Sequence, residues 1–218
     1  MEFTSREFKI FFHNIVDIIE EEKDYLCELD RKIGDGDHGV TMSIGWQAVK
    51  EKLMSDLSDE EDIAKINLTV GKTFLNAVGS SVGPLYATGF MRGAKQVKNK
   101  TILNEEDLIN YWIAFTKGIK ERGQSDIGDK TMVDTLAPFA RELESKYNIT
   151  EDFYASFESA VIEAKKGMES TKDLISKKGR SSRLGERSIG AQDPGATSSY
   201  LILQAFLSFI KEQQSQAS

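Results

Sequence analysis

The chain has 218 residues, 39% hydrophobic and 29% charged, which is enough apolar material for one sizeable core and too much for a disordered segment. Its formal net charge of -7 argues against a nucleic acid or an anionic membrane as the main partner, because both demand a basic face. An anionic ligand stays open where a metal supplies positive charge locally, and the single cysteine, Cys27, excludes an intramolecular disulfide and a thiolate zinc site and points to a cytoplasmic protein.

In chain order, "MEFTSREFKIFFHNIV" mixes charges into its apolar positions and does not read as a signal peptide. Phe8, Phe12, Ile15 and Ile19 recur at spacings of four, three and four, which predicts a long first helix. Similar stripes run through "TMSIGWQAVKEKLM", "EEDIAKINLTVGKTFLNAV", "PLYATGFMRGAKQV", "NEEDLINYWIAFTKGIKERG", "KTMVDTLAPFARELESKY", "TEDFYASFESAVIEAKKGMEST" and "ATSSYLILQAFLSFIKEQ", so about eight helices are expected. None approaches the roughly 20 apolar residues of a membrane span. Sustained period-two alternation is absent, and the predicted class is all-α. Asn104 ahead of Glu105 and Glu106, and Thr150 ahead of Glu151 and Asp152, predict capped helix starts. Gly123 predicts a helix end and Pro138 a kink. The polar tail "KEQQSQAS" is expected to fray. With no Ser/Gly-rich linker and no internal repeat, residues 1–218 read as a single domain.

Four connecting segments carry chemistry. The first, "LDRKIGDGDHGVTM", sets Asp30, Asp35 and Asp37 close together. Asp30 is placed at the end of the first helix and the other two in a glycine turn. Dense carboxylates suit a hard cation such as Mg²⁺ or Ca²⁺ and repel one another without it, although the spacing is not that of an EF-hand. Solvated aspartates capping a loop are the alternative. His38 follows as either a capping histidine or a ligand contact, and two histidines in the chain argue against a His-rich zinc site. The second segment, "GSSVGPL", precedes a helix expected to start near Pro84. It reads as a phosphate-receiving helix start or as a plain tight turn, and no Walker A loop is present. In "SDIGDKTMVDTL", Asp129 can cap a helix, and Lys130 can meet a phosphate, stay solvated or pair with Asp134. In "KKGRSSRLGERSIGAQDPGATSS", Arg180, Arg183 and Arg187 form either a guanidinium set for phosphate or a solvated basic loop, before Asp193 opens the last helix.

Taken in order, "IGDGDHG", "GPLYATGFMRGA", "GDKTMVDTLAPF" and "GRSSRLGERSIGAQDPGATS" resemble the nucleotide-binding L subunit of dihydroxyacetone (glycerone) kinase, over about residues 8 to 210. The resemblance implies a closed antiparallel barrel of eight helices with ADP or ATP at one end. It implies that Asp30, Asp35 and Asp37 hold two Mg²⁺ ions bridging the phosphates, so that +4 against -3 turns an acidic loop attractive to an anion. By the same resemblance His38, Gly39 and Thr41 lie at the phosphate end, and Ser80 and Ser81 contact phosphate or ribose. Leu85 and Met132 line the adenine pocket, Met132 following the turn at Gly128. Arg180, also the catalytic candidate, closes over the nucleotide with Asp193, Pro194 and Gly195. The implied partners are a K subunit, holding the ketone as a hemiaminal on its own histidine, and a phosphocarrier M subunit that rephosphorylates ADP in the phosphoenolpyruvate-dependent type. A transcription regulator is a further implied partner. Val82 and Ala191 stand where the family often has serine and histidine.

Overall fold

A computed structural model of the chain describes residues 3–217. Among them are nine α-helices: α1 (Ser5–Glu21), α2 (Lys23–Ile33), α3 (His38–Met54), α4 (Ile63–Ala77), α5 (Val82–Gln96), α6 (Glu105–Gly123), α7 (Met132–Thr150), α8 (Phe153–Ser170) and α9 (Pro194–Ala217). Between α8 and α9 lie two 3₁₀ segments, Thr171–Asp173 and Arg180–Ser188. Two short strands, β1 (Phe3–Thr4) and β2 (Ile102–Leu103), pair antiparallel, Phe3 opposite Leu103 and Thr4 opposite Ile102. The all-α expectation stands, with this one small clasp added.

The expected first helix is two. Between buried Ile19 and buried Leu26 the chain is charged, and no apolar side chain holds those turns to the core. The helix breaks at Glu22, and Asp30 belongs to the second helix, not the first. Helix starts follow their caps. Thr4, Asn104 and Thr131 each form a capping box, with Glu7, Asp107 and Asp134 respectively. Asp62 caps α4 through Lys65 N–H at 3.1 Å. The start of α8 is capped by Asp152, through Ala155 N–H at 3.0 Å, and not by Thr150, which is the last residue of α7. Thr131 likewise takes the cap foreseen for Asp129. Helix α6 ends at Gly123 as expected, while the left-handed residue that follows it is Gln124, at φ 47°. The tail expected to fray continues α9 to Ala217, and Ser218 lies outside the described residues.

Helix α7 runs through Pro138. Proline has no N–H for the Asp134 carbonyl four residues earlier. That carbonyl faces Gly167 of α8, where an added Cβ would lie 2.0 Å from it. The residue that frees a carbonyl and the residue that lets a neighbour approach it are thus matched across α7 and α8.

Helices pack in a circuit: α1 on α3, then α3 on α4, α4 on α5, α5 on α6, α6 on α7, α7 on α8, α8 on α9 and α9 back on α1. Helix α2 sits beside α3 and α9. Aromatic rings fill the interior. Trp112 makes edge contacts with Phe11, Phe115, Phe139, Phe157 and Phe206 at centroid distances from 5.1 to 5.9 Å. No described helix is long and apolar enough to cross a membrane.

Candidate functional site

A cleft of about 800 Å³ opens at one end of the helix assembly, within the size range of small-molecule sites. Four helices begin at its wall. Asp37 and His38 belong to the start of α3, Ser80 to Leu85 to that of α5, Thr131 and Met132 to that of α7, and Asp193 to Gly195 to that of α9. Helix N-termini present positive dipole ends, and α3 and α5 have no side-chain cap on their first N–H groups, so these starts suit an anion, while α7 and α9 are capped by Thr131 and Asp193.

The aspartates line the same cleft. Asp30 comes from the last turn of α2, and its Oδ2 accepts from the N–H groups of Gly36 at 2.8 Å and Asp37 at 2.9 Å. Those two bonds fold the loop back on the helix, and Gly36 allows the turn at φ 81°. One carboxylate oxygen from each of Asp30, Asp35 and Asp37 then lies within 4.8 Å of the others. Asp35 and Asp37 are exposed and Asp30 half-buried, and an all-oxygen donor set of this kind suits Mg²⁺. The guanidinium of Arg180 pairs with Asp35, bringing the 3₁₀ segment across the aspartate loop.

His38, a lining residue, joins a buried polar network behind the cleft. His38 is 7% exposed and its Nε2 lies 3.0 Å from Ser198 Oγ. Burial lowers its pKa to about 4, against the opposing pull of Asp30, so the ring is neutral at pH 7. Tyr86 joins the same network, its Oη 2.9 Å from Ser198 Oγ and 3.1 Å from Ser199 Oγ, and burial pushes its pKa up to about 12. Ser80 lines the cleft, and its Oγ is buried without a hydrogen-bond partner among the described residues.

Residues 32–208 match the family model described as the DAK2 domain. The ADP-binding subunit DhaL of PEP-dependent dihydroxyacetone kinase 2 from Listeria innocua is 39% identical over 195 residues, 89% of this chain and 90% of that one. The chain belongs to the DAK2-domain family. The corresponding DhaL subunit of Escherichia coli is 39% identical over 196 residues, 90% of this chain and 92% of the other. A dihydroxyacetone kinase of C. freundii, solved with AMP-PNP and Mg²⁺, superposes with a TM-score of 0.71 at 21% identity. The match covers 91% of this chain and 33% of that one, so the DAK2 fold is shared and this chain spans about a third of the longer protein.

Set on this DAK2 fold, most of the residues singled out in the sequence meet in the cleft: Asp30, Asp35, Asp37, His38, Ser80, Ser81, Leu85, Met132, Arg180, Asp193, Pro194 and Gly195. Thr41 lies in a smaller adjoining hollow with Asp37, Ser80 and Arg180. Gly39 and Gly128 are not among the lining residues. At Gly39 an added Cβ would lie 1.9 Å from the Lys23 carbonyl, so glycine there lets α3 press on α2. Gly128 turns at φ 91° and donates its N–H to Asp134 Oδ1 at 2.6 Å. Pro84 is the third residue of α5, which starts at Val82, instead of its first. Lys130 is among the lining residues, yet it is buried and its ammonium donates to three backbone carbonyls. Arg122 and Lys178 also line the cleft; neither was singled out, although Lys178 stands in the basic segment that carries Arg180. Ser198, Ser199 and Tyr86 also went unforeseen, because hydroxyls inside helical stripes resemble ordinary packing positions. Val82 lines the cleft, and Ala191 is buried beside it with its carbonyl turned to Lys130.

Proposed function

We propose that the chain is the nucleotide-carrying subunit of a kinase for dihydroxyacetone or a related short ketose. One observation carries this reading: three converging carboxylates line the same cleft as four helix N-termini. Each half alone is unremarkable, but together they offer a cation site beside an anion cradle, which is what a metal–nucleotide needs. Extensive identity to chains named as ADP-binding subunits supports the nucleotide as ADP or ATP. The contact circuit supports a closed antiparallel barrel of eight helices, with α2 as an addition beside it.

Asp30, Asp35 and Asp37 would hold two Mg²⁺ ions, which when bound neutralise phosphate charge and leave the γ-phosphorus open to attack. Arg180, which pairs with Asp35 in this structure, stands where it would be available to the phosphates once the aspartates held metal. Ser80 and Ser81 would donate to phosphate or ribose, the α5 and α9 N-termini would lie against the phosphates, and Leu85 and Met132 would pack on adenine. In transfer, a ketose hydroxyl oxygen would form the new bond to phosphorus as the bond to the ADP oxygen breaks, and the hydroxyl proton would leave to solvent. The ketose is held on a separate K subunit, and a phosphocarrier M subunit returns a phosphoryl group to ADP, in line with the PEP- and PTS-dependent kinases to which the likeness is extensive.

Desalting the purified chain, denaturing it and chromatographing the released small molecules tests this directly. Stoichiometric ADP is the expected result. A chain that releases no nucleotide and takes up neither ADP nor ATP with Mg²⁺ overturns the reading. Asp35→Asn should abolish transfer in an assay reconstituted with K and M subunits while leaving the helical circular dichroism unchanged.

A further inference from the structure

Between α8 and α9 the chain makes a long excursion over the cleft. Residues 175–190 bury no hydrophobic side chain; the two buried residues in this stretch are Ser176 and Ser188. Yet this stretch carries Lys178, Arg180 and Arg183 to the cleft wall, and Arg180 reaches Asp35. A loop without a core of its own must be held by polar ties.

Lys130 supplies the central tie. Its side chain is 1% exposed, and its Nζ donates to the carbonyls of Ser188 at 2.6 Å, Ala191 at 2.6 Å and Leu174 at 3.2 Å. An ammonium has three protons, and three carbonyls take them all. Leu174 enters the excursion, while Ser188 and Ala191 leave it. The cation therefore clasps the two ends of the loop together. Smaller ties gather at the same place: Gly190 N–H to the Lys172 carbonyl at 2.7 Å, Ser176 N–H to Ser188 Oγ at 2.9 Å, and Lys177 N–H to the Asp129 carbonyl at 3.1 Å. Lys130 itself stands at φ 60°, a conformation seldom adopted by a lysine, which aims its side chain into the loop base from the residue before the α7 cap.

We propose that Lys130 is a positioning residue that holds the 174–191 loop, and through it Arg180, over the cleft, and that it makes no contact with phosphate. The inference rests on reading the cleft as a nucleotide site. Lys130→Met keeps the length of the side chain and leaves three carbonyls without their donor. Release of Mg²⁺-bound nucleotide should then be about tenfold faster, and amide exchange over 175–190 should rise while exchange in the helices is unchanged. Arg180→Ala should also speed release. In the double variant the two effects should not multiply, because Lys130 acts through the loop that carries Arg180. Multiplying effects, or wild-type release from Lys130→Met, overturn the proposal. A wild-type chain that binds no nucleotide overturns the nucleotide reading instead, and exchange over 175–190 in the Lys130 variant still decides whether the clasp exists. If Lys130→Met fails to fold, labelling the wild-type chain with acetic anhydride decides. Lys130 should resist acetylation both with and without Mg²⁺–ADP. Acetylation in the empty protein that Mg²⁺–ADP blocks would identify a phosphate contact and overturn the proposal.

Discussion

Buried at the start of α9, Asp193 accepts from the Ala196 N–H at 2.7 Å, while burial raises its pKa to about 7. The Ala196 N–H and Lys130 pull the value back down, and Asp134 and Asp30 push it further up. A carboxyl whose pKa is higher in the folded chain binds its proton more tightly there. Its contribution to stability is complete at low pH and is lost as pH rises from about 4 to about 7. His38, with its pKa lowered to about 4, gives the opposite slope between that value and its ordinary 6.5. Comparison with Asp193→Asn, which keeps both the cap and His38, isolates the aspartate. Denaturant unfolding without nucleotide should show wild-type stability falling relative to the variant as pH rises from about 4 to about 7, by up to about 1.4 kcal/mol per pH unit. Parallel curves would show that Asp193 stays ionised when folded.

At the scale of elements, the aspartate cluster depends on how closely α2 and α3 approach. Asp30 ends one helix, Asp37 precedes the other, and Gly39 sets the gap between them. A methyl group at position 39 would collide with the Lys23 backbone carbonyl, which cannot swing aside as a side chain could. Gly39→Ala should cost about 1–3 kcal/mol by overpacking and weaken Mg²⁺ binding about tenfold, though residue 39 touches no metal. Thermal unfolding across a Mg²⁺ titration checks both effects. A variant with lowered stability but the full wild-type response to Mg²⁺ would show that the helix gap does not govern the cluster.

Over the whole molecule, Trp112 joins rings from α1, α6, α7, α8 and α9 in one cluster. Trp112→Ala should cost about 3–5 kcal/mol, read from denaturant midpoints. Its Nε1 has no partner among the described residues, so Trp112→Phe removes an unsatisfied buried donor along with area and should cost distinctly less. Equal losses for the two variants would mean that the donor is paired in solution.

Helical periodicity alone carried the fold class and most helix positions, because an apolar stripe repeats whenever a helix covers a core. The aspartate cluster was legible for a related reason: Asp30, Asp35 and Asp37 lie within one turn and a helix end, so chain connectivity keeps them near one another. Likeness of the four ordered motifs brought Ser80, Met132, Arg180 and Asp193 into the same site, which spacing by itself could not have done. The break at Glu22 was hidden, since charged residues are as common in helices as between them. Lys130 read as a free cation because its three acceptors are backbone carbonyls, identical in every sequence, placed 44 to 61 residues away. Short-range order is written in side-chain type and spacing. Which carbonyls close around an ammonium, and which four helix ends share one cleft, is decided only when the chain is packed.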